Sequence, residues 1–569
     1  MPGAATHAGS MIIAARPRLD SWKEIATYLK RSVRTVRRWE RQEGLPVHRH
    51  RHHMQATVYA FVPEIDKWLE EHRMKGSADG VAATIAAQPF LEHGSEASQE
   101  KHHNRPAVIA VLPLRNLSGD PEQERFADGL TDELITEIGH CCPDRLRVIG
   151  LTSVMQYKQM PKDIKQIGQE LGADYILEGG VRRHGRRVRL TARLLAARDQ
   201  AHVWADSYET QLPSIFSLQQ TLASQVADSV SAKLHMHSKK RRRSAVLSFA
   251  AHSAYIEGRS HFLPTAGEFT KSIEHLNLAI EREPKFAPSY AELALAYFRR
   301  LFLDYPPVVM FKRIGEDASM ALRLDPELAR AHSMLAAFHL FNTWTIAKAD
   351  RESRQAVQLN PSDPWAHIVR ASYHLAVGEF QKAMGALGRV RQLDPKCEET
   401  GLWFATFAYI ARRYDLVIED CQRVLQLEPS SAIAHVALGL CLAQNGESVL
   451  AMSHCERARE LGCSSGVEIS LACTAYTLAG ERDTAERLYQ EFVASDATQY
   501  TRYMFLAHCA AALREEEQAL EWLFKAYEQR EPLLVFLRID PRFHSISGNP
   551  SFRKLLGRIG LPGERKPET

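Results

Sequence analysis

The stretch Ala356-Val357-Gln358-Leu359-Asn360-Pro361 decides how the longer part of this chain is read. Its pattern is a small or apolar residue, an apolar one, two variable ones, an acid or Asn, then Pro. The pattern recurs in Ala279-Ile280 with Glu283-Pro284, in Ala321-Leu322 with Asp325-Pro326 and in Val424-Leu425 with Glu428-Pro429. With its second position varied it appears in Val390 with Asp394-Pro395. The prolines follow one another at intervals of 42, 35, 34 and 34 residues. Proline cannot continue a helix, so each one marks where a helical unit stops and the next begins. A fixed period of this length is the mark of stacked repeats. Continuing it reaches Cys463 and Ala497, where proline is missing, but the small residues Gly439, Gly446, Ala451, Ala458, Gly480 and Ala485 persist. Ala383, Ala451 and Ala485 are expected to let paired helices approach closely. Gly378, Gly446 and Gly480 fall at the bends, where a positive φ costs glycine little.

This register resembles a tetratricopeptide array. It covers residues 250–532 with six to eight units, and 533–569 reads as the cap and tail that such a stack requires. The resemblance implies a concave groove that holds a protein or peptide partner. The stretch from Phe298 to Val309 carries an eight-residue insertion and is expected to be a structural linker.

Toward the N-terminus the composition turns basic. The whole chain of 569 residues has a net charge of only +4, yet Arg16 to Met54 holds eleven Arg or Lys against four acids, a local +7. Such a concentration on a nearly neutral protein points to nucleic acid. Ser21 and Glu24 form a capping box for a first helix with Trp22, Ile25, Ala26 and Leu29 at helical spacing. Ser32 caps a second, running from Val33 to Glu43, and Gly44 stops it. Val33, Val36 and Trp39 face inward there, which leaves Arg34, Thr35, Arg37, Arg38 and Arg41 for phosphates and base edges. Leu45 to Arg51 and Thr57 to Phe61 are expected to form two strands of a basic wing, with His48, Arg49 and Arg51 as contacts. Pro63 then opens a third helix with Ile65, Trp68 and Leu69 inward.

The stretch SWKEIATYLKRSVRTVRRWERQEGLPVHRH resembles the winged helix-turn-helix of excisionases and MerR-type regulators, which implies double-stranded DNA as a partner. The long dimerisation helix of MerR proteins does not follow it, so oligomeric state stays open. His48, His50, His52 and His53 alternate with arginines that repel a cation, and no metal site is expected there.

Between these parts, residues 81–105 are rich in Ala, Ser, Gln and His and read as linker. Val108-Ile109-Ala110-Val111-Leu112 is a buried-strand signal. A helix from Phe126 to Ile138, a strand near Val148, a helix over Ile164 to Leu171 and a strand at Tyr175 to Leu177 follow. Strands at Val188 to Leu194 and His202 to Tyr208, then a helix through Leu218, Leu222 and Val226, complete an α/β sandwich. The phrases AVLPLRNLSGDPEQERFADGLTDELITEI and LGADYILEGGVRR are similar to the TolB-amino-terminal-like domain, which implies a non-catalytic interaction or sensory module. Asp128, Asp132 and Glu133 are expected to favour a helix dipole rather than a metal. The arginine-rich hairpin from Arg182 to Arg193 is expected to be solvated, with contact to DNA beside the first domain as the alternative, and Lys239 to Arg243 to be a charged joint.

The fold class expected is therefore multidomain: an N-terminal winged helix-turn-helix, a central α/β sandwich and a C-terminal all-α tetratricopeptide solenoid. The boundaries are 1–18 disordered, 19–75 DNA-binding, 76–105 linker, 106–235 TolB-like, 236–249 basic joint, 250–532 repeats and 533–569 cap and tail. Met1 and Met11 both suit a start. Nine cysteines without zinc-like spacing read as reduced thiols. No signal peptide or membrane span is expected, which places the chain in the cytoplasm. The absence of a P-loop, a dinucleotide glycine fingerprint, a nucleophile elbow and HExxH predicts no enzyme, no cofactor and no catalytic residue. The function expected is a transcriptional regulator, and the alternative is an interaction scaffold without promoter-specific binding.

Overall fold

The computed structural model describes residues 18–19, 21–29, 36, 39–40, 45–51, 56–62, 64–65, 68, 106–119, 122–141, 145–158, 160, 162–184, 187–211, 215–234, 249–260, 266–299, 307–495 and 502–560. They belong to two compact units, one within 1–103 and one within 104–569.

In the first unit, β1 (Arg18–Leu19) precedes α1 (Trp22–Tyr28), and β2 (His48–Arg51) and β3 (Ala56–Phe61) follow. The Glu24 amide donates to Ser21 Oγ at 3.1 Å and the Ser21 hydroxyl donates back to the Glu24 carboxylate at 3.3 Å, so the capping pair forms. The strands make an antiparallel sheet in the order β1-β3-β2, with Arg18 opposite Phe61 and His48 opposite Tyr59. Of the two strands expected over Leu45 to Arg51 and Thr57 to Phe61, the first forms only from His48 and the second begins one residue early, at Ala56; β1, only two residues long, gave no periodic signal. Ile25, Val36, Ala60 and Ile65 are fully buried, with Trp68 packed beside Trp39 at 5.5 Å. Of the residues expected to form the second helix only Val36, Trp39 and Glu40 are described, and Pro63 and Leu69 lie outside the described residues.

The second unit opens with a mixed sheet: β4 (Ala107–Val111), β5 (Arg115–Asn116), β6 (Leu146–Val148), β7 (Tyr175–His184), β8 (Arg187–Ala196) and β9 (His202–Gln211). The order is β6-β4-β7-β8-β9, with β5 alongside β7. β4 runs parallel to β6 and β7, whereas β7, β8 and β9 are antiparallel neighbours. Alternation along the strands sends Ile109, Val111, Leu177, Val188, Leu190 and Leu194 to one face. There they meet α2 (Glu122–Cys141) and α5 (Ile215–Lys233). Val108, Ala110 and Ile176 point the other way, onto α3 (Leu151–Met155) and α4 (Ile164–Leu171). Burying Leu130, Leu134 and Ile138 of α2 contributes roughly 1.5–3 kcal/mol each.

The rest is a succession of helical hairpins: α6 (Phe249–Ser260) with α7 (Ala266–Arg282), α8 (Ala287–Arg299) with α9 (Pro307–Leu324), α10 (Ala329–Phe341) with α11 (Ile346–Leu359), and α12 (Pro364–Ala376) with α13 (Phe380–Leu393). Then come α14 (Glu398–Ile410) with α15 (Tyr414–Leu427), α16 (Ala432–Gln444) with α17 (Ser448–Glu460), α18 (Gly466–Ala479) with α19 (Arg482–Ala494), and α20 (Arg502–Ala512) with α21 (Glu516–Glu528). The bends carry positive φ at Trp344, Gly378, Arg412, Gly446, Gly480 and Arg514, one every 34 residues. Glycine was expected at three of these; three are not glycine. Ala383, Ala451 and Ala485 are buried between paired helices as expected. Where the period lacks a proline, Ser465 and Glu468 form a capping box that starts α18. Of the stretch expected to be a linker, Phe298 and Arg299 end α8 and Pro307 to Val309 begin α9, while 300–306 lie outside the described residues.

After α21 come two short 3-10 turns, Pro532–Phe536 and Pro541–Ile546, and α22 (Pro550–Ile559). The last covers the end of the stack, and Pro541–Ile546 packs on α20 of the last hairpin, with Phe543 4.9 Å from His508 and the Ser545 hydroxyl on the Ala511 carbonyl. Arg558 lies over the Phe524 and Tyr527 rings of α21, and Asn549 bonds Glu516 at 2.6 Å. The first, Pro532–Phe536, turns into the solenoid, where a simple cap would stay at its end.

Candidate functional site

Of the DNA contacts expected from sequence, Arg34, Thr35, Arg37, Arg38 and Arg41 lie outside the described residues. Arg49 and Arg51 are placed by their backbone in β2, opposite Val58 and Ala56. His48 is described fully. Its Nε2 lies 2.7 Å from the Glu64 carboxylate and its ring stacks on Tyr59 at 5.3 Å. This histidine is thus tied to Glu64, just beyond β3, which braces β2; sequence alternation gave no hint of Glu64 as its partner.

The sheet domain and the solenoid are joined by polar contacts at two places. Asp132 of α2 pairs with Arg259 of α6 at 2.7 Å, and both side chains are largely buried. Burial pushes the Asp132 carboxyl up to about 6, against the pull of Arg259. The helix-dipole reading of Asp128 and Asp132 is therefore corrected. α2 starts at Glu122, so neither lies in its first turn; Asp128 pairs with Lys158 at 2.6 Å and Asp132 reaches across to the repeats. At the second place, the Gly150 amide donates to the Leu393 carbonyl at 2.6 Å and the Ser153 amide to Asp394 Oδ1 at 3.1 Å. The Ser153 hydroxyl donates to the same carboxylate oxygen, and Lys396 pairs with Glu170 at 2.6 Å. Asp394 is the acid of a repeat signature, here used to dock a neighbouring domain.

The inner face of the solenoid is built by the first helix of each hairpin. Phe298 of α8 stacks against Trp403 of α14 at 5.9 Å although three hairpins separate them in sequence, a contact reached only on the inside of a tight curve. Phe341 and Trp365 join the same cluster. Phe536 enters it edge-on, 6.1 Å from Phe341 and 5.4 Å from Phe407. Arg530 lies 4.2 Å over the Trp344 ring, and Leu534, Val535 and Leu537 are buried with it. The groove expected to receive a partner is thus filled, over α10 to α14, by the chain's own segment 530–537. Asp540 anchors the following turn: Arg542 donates to it at 2.6 Å and His508 lies 3.2 Å away. Burial and Arg542 push the His508 imidazole down to about 4.

Among the described residues, no group of three or more His, Cys, Asp or Glu is placed to hold a metal ion, and no helix is long and apolar enough to cross a membrane. Seven described cysteines are free, and burial pushes the Cys421 and Cys455 thiols up to about 12, away from the reactive thiolate.

The architecture is a helical-hairpin solenoid docked to a mixed-sheet domain, preceded by a small unit with a three-stranded sheet. Residues 105–225, the sheet domain, match the family described as "HilA/YgeH-like transcriptional regulator, second domain". A stretch of 189 residues is 33% identical to "Putative adenylate cyclase 3" of Rhizobium meliloti (strain 1021) and covers 33% of this chain and 32% of that protein. The chain thus spans about a third of the length of that relative. Among solved structures it is similar to a tetratricopeptide repeat protein from Parabacteroides merdae, at 13% identity over 45% of this chain and 97% of that one, with a TM-score of 0.32. It is also similar to PilF of Pseudomonas aeruginosa, at 17% identity over 38% of this chain and 96% of that one, with a TM-score of 0.29. At such scores the solenoid rests on its own 34-residue register.

Proposed function

We propose that this chain is a DNA-binding transcriptional regulator whose first unit is a winged helix-turn-helix and whose sheet domain and tetratricopeptide solenoid sense or recruit a protein partner. The match of residues 105–225 to a regulator family carries this reading. The local charge of +7 over residues 16–54, beside a capped helix and an antiparallel wing, supports DNA as the ligand. Arg34, Thr35, Arg37, Arg38 and Arg41 then face the major groove, while Arg49, Arg51 and the His48 edge of the wing meet the backbone. The sheet domain is TolB-like and non-catalytic. The relative named as a cyclase shares only a third of each chain, and no cyclase activity is proposed here. The division at 19–75, 76–105, 106–235, 236–249, 250–532 and 533–569 stands as part of this proposal, as does work in the cytoplasm.

A partner reaches the inner face over α10 to α14 only by displacing residues 530–537, so partner binding and release of that segment are coupled. A scaffold without promoter specificity is the second reading, favoured by the length of the solenoid. Selecting bound duplexes from a random pool with the full chain separates the two. An enriched motif supports the regulator; recovery of duplexes without a shared motif supports the scaffold.

A further inference from the structure

The antiparallel half of the sheet has one covered face and one open face. α2 and α5 cover the side bearing Val188, Leu190 and Leu194. On the opposite side α3 and α4 reach Ile176, and no described helix packs on it beyond that point. Strand alternation puts Arg187, Arg189, Thr191 and Arg193 of β8 on this open side. Register adds Arg182 and Gly180 of β7, Arg115 of β5, and Ser207 and Glu209 of β9. Arg115, Arg182, Arg187, Arg189 and Arg193 are all exposed.

Arg182 stands directly opposite Arg189 across the strands, and like charges in that relation destabilise a sheet. Against five guanidiniums the face carries two carboxylates, Glu178, 3.7 Å from Arg193, and Glu209, opposite Arg189. Arg189 is steadied by a bond to Ser207 at 3.0 Å. Successive arginines on β8 are spaced by about 7 Å per two residues. The two aromatics of β9, Trp204 and Tyr208, pair with Leu194 and Leu190 and so belong to the covered side. The open face therefore offers cations without an aromatic stacking platform for single-stranded bases; beside Thr191 and Ser207 it carries the apolar side chain of Leu117, which lies over Gly180.

We propose that this arginine-bearing sheet face is a second, sequence-independent contact for the phosphate backbone of duplex DNA. The identity of the anion rests on the regulator reading; the face itself does not. Full-length wild type and the triple variant Arg187→Gln, Arg189→Gln, Arg193→Gln, each titrated with a selected and a scrambled labelled duplex over several salt concentrations, test it. Losing three phosphate contacts lowers the slope of log affinity against log salt by about 2 to 3. Glu209→Gln removes the carboxylate opposite Arg189 and tightens binding about two- to threefold, a gain that a misfolded variant does not show. If the wild type shows no motif preference and the triple variant still lowers the slope, the promoter reading falls and the sheet contact stands. If motif preference is intact and the slope is unchanged, the sheet contact alone is overturned. Competition by polyglutamate at lower concentration than by duplex also overturns it, in favour of an acidic protein.

Discussion

Position 412 holds an arginine at φ 59°, while the residues 34 before and after it, Gly378 and Gly446, are glycines at 80° and 82°. The left-handed region penalises a Cβ, so these equivalent bends are not equivalent in strain. A Cβ at Gly446 meets nothing within 4 Å, which leaves backbone strain as the whole effect. Gly446→Ala is expected to cost about 1–2 kcal/mol, read as a fall in Tm, and Arg412→Gly to cost nothing or stabilise. Equal losses from both would refute the strain account. Glu531 gives a second test. It is buried and accepts the Tyr503 and Met504 amides at 3.1 and 2.8 Å, yet burial dominates and pushes its carboxyl up from 4.5 to about 8. Between those two values the folded chain binds the proton that the unfolded chain has released, so this group lowers stability as pH rises. Glu531→Gln should flatten the decline in Tm from pH 6 to 8; an unchanged slope would count against the buried, protonated acid.

At the scale of elements, the hairpins were readable because proline spacing and small residues report local geometry, which recurs with the period. The helix Ile164–Leu171 and the strands β8 and β9 were readable for the same reason, as 3.6-fold and two-fold patterns. What escaped the sequence are the contacts between distant segments. Nothing near Asp132 points to Arg259, 127 residues on. Nor does the run Pro532 to Leu537 differ from a terminal cap until it is seen against Phe341 and Phe407. The residues expected to contact DNA, Arg34, Thr35, Arg37, Arg38 and Arg41, lie outside the described residues, so their legibility is untested. Phe536→Ala removes a ring from the aromatic cluster and should cost about 3–5 kcal/mol. It should also speed amide exchange across residues 530–546. Protected amides in that variant would mean that the segment is held by other contacts. Arg259→Ala leaves Asp132 buried without its partner and should cost about 3–5 kcal/mol in the second unit. A denaturation midpoint that does not move would remove this pair from the docking account.

On the scale of the whole molecule, the sheet domain and the repeats form one compact unit, and the basic stretch belongs to another. A partner that displaces residues 530–537 from the inner face changes the larger unit, and the regulator reading requires that change to be felt at DNA. The claim beneath this is sequence-selective DNA recognition by Arg34 and Arg38, and its direct test is an anisotropy titration of the full chain against a selected duplex and a scrambled one. Arg34→Ala or Arg38→Ala should weaken the selected duplex by about 1–3 kcal/mol per lost base contact and the scrambled one much less. Equal weakening of both duplexes, fading together as salt rises, would contradict the regulator and leave a scaffold that holds DNA by charge alone.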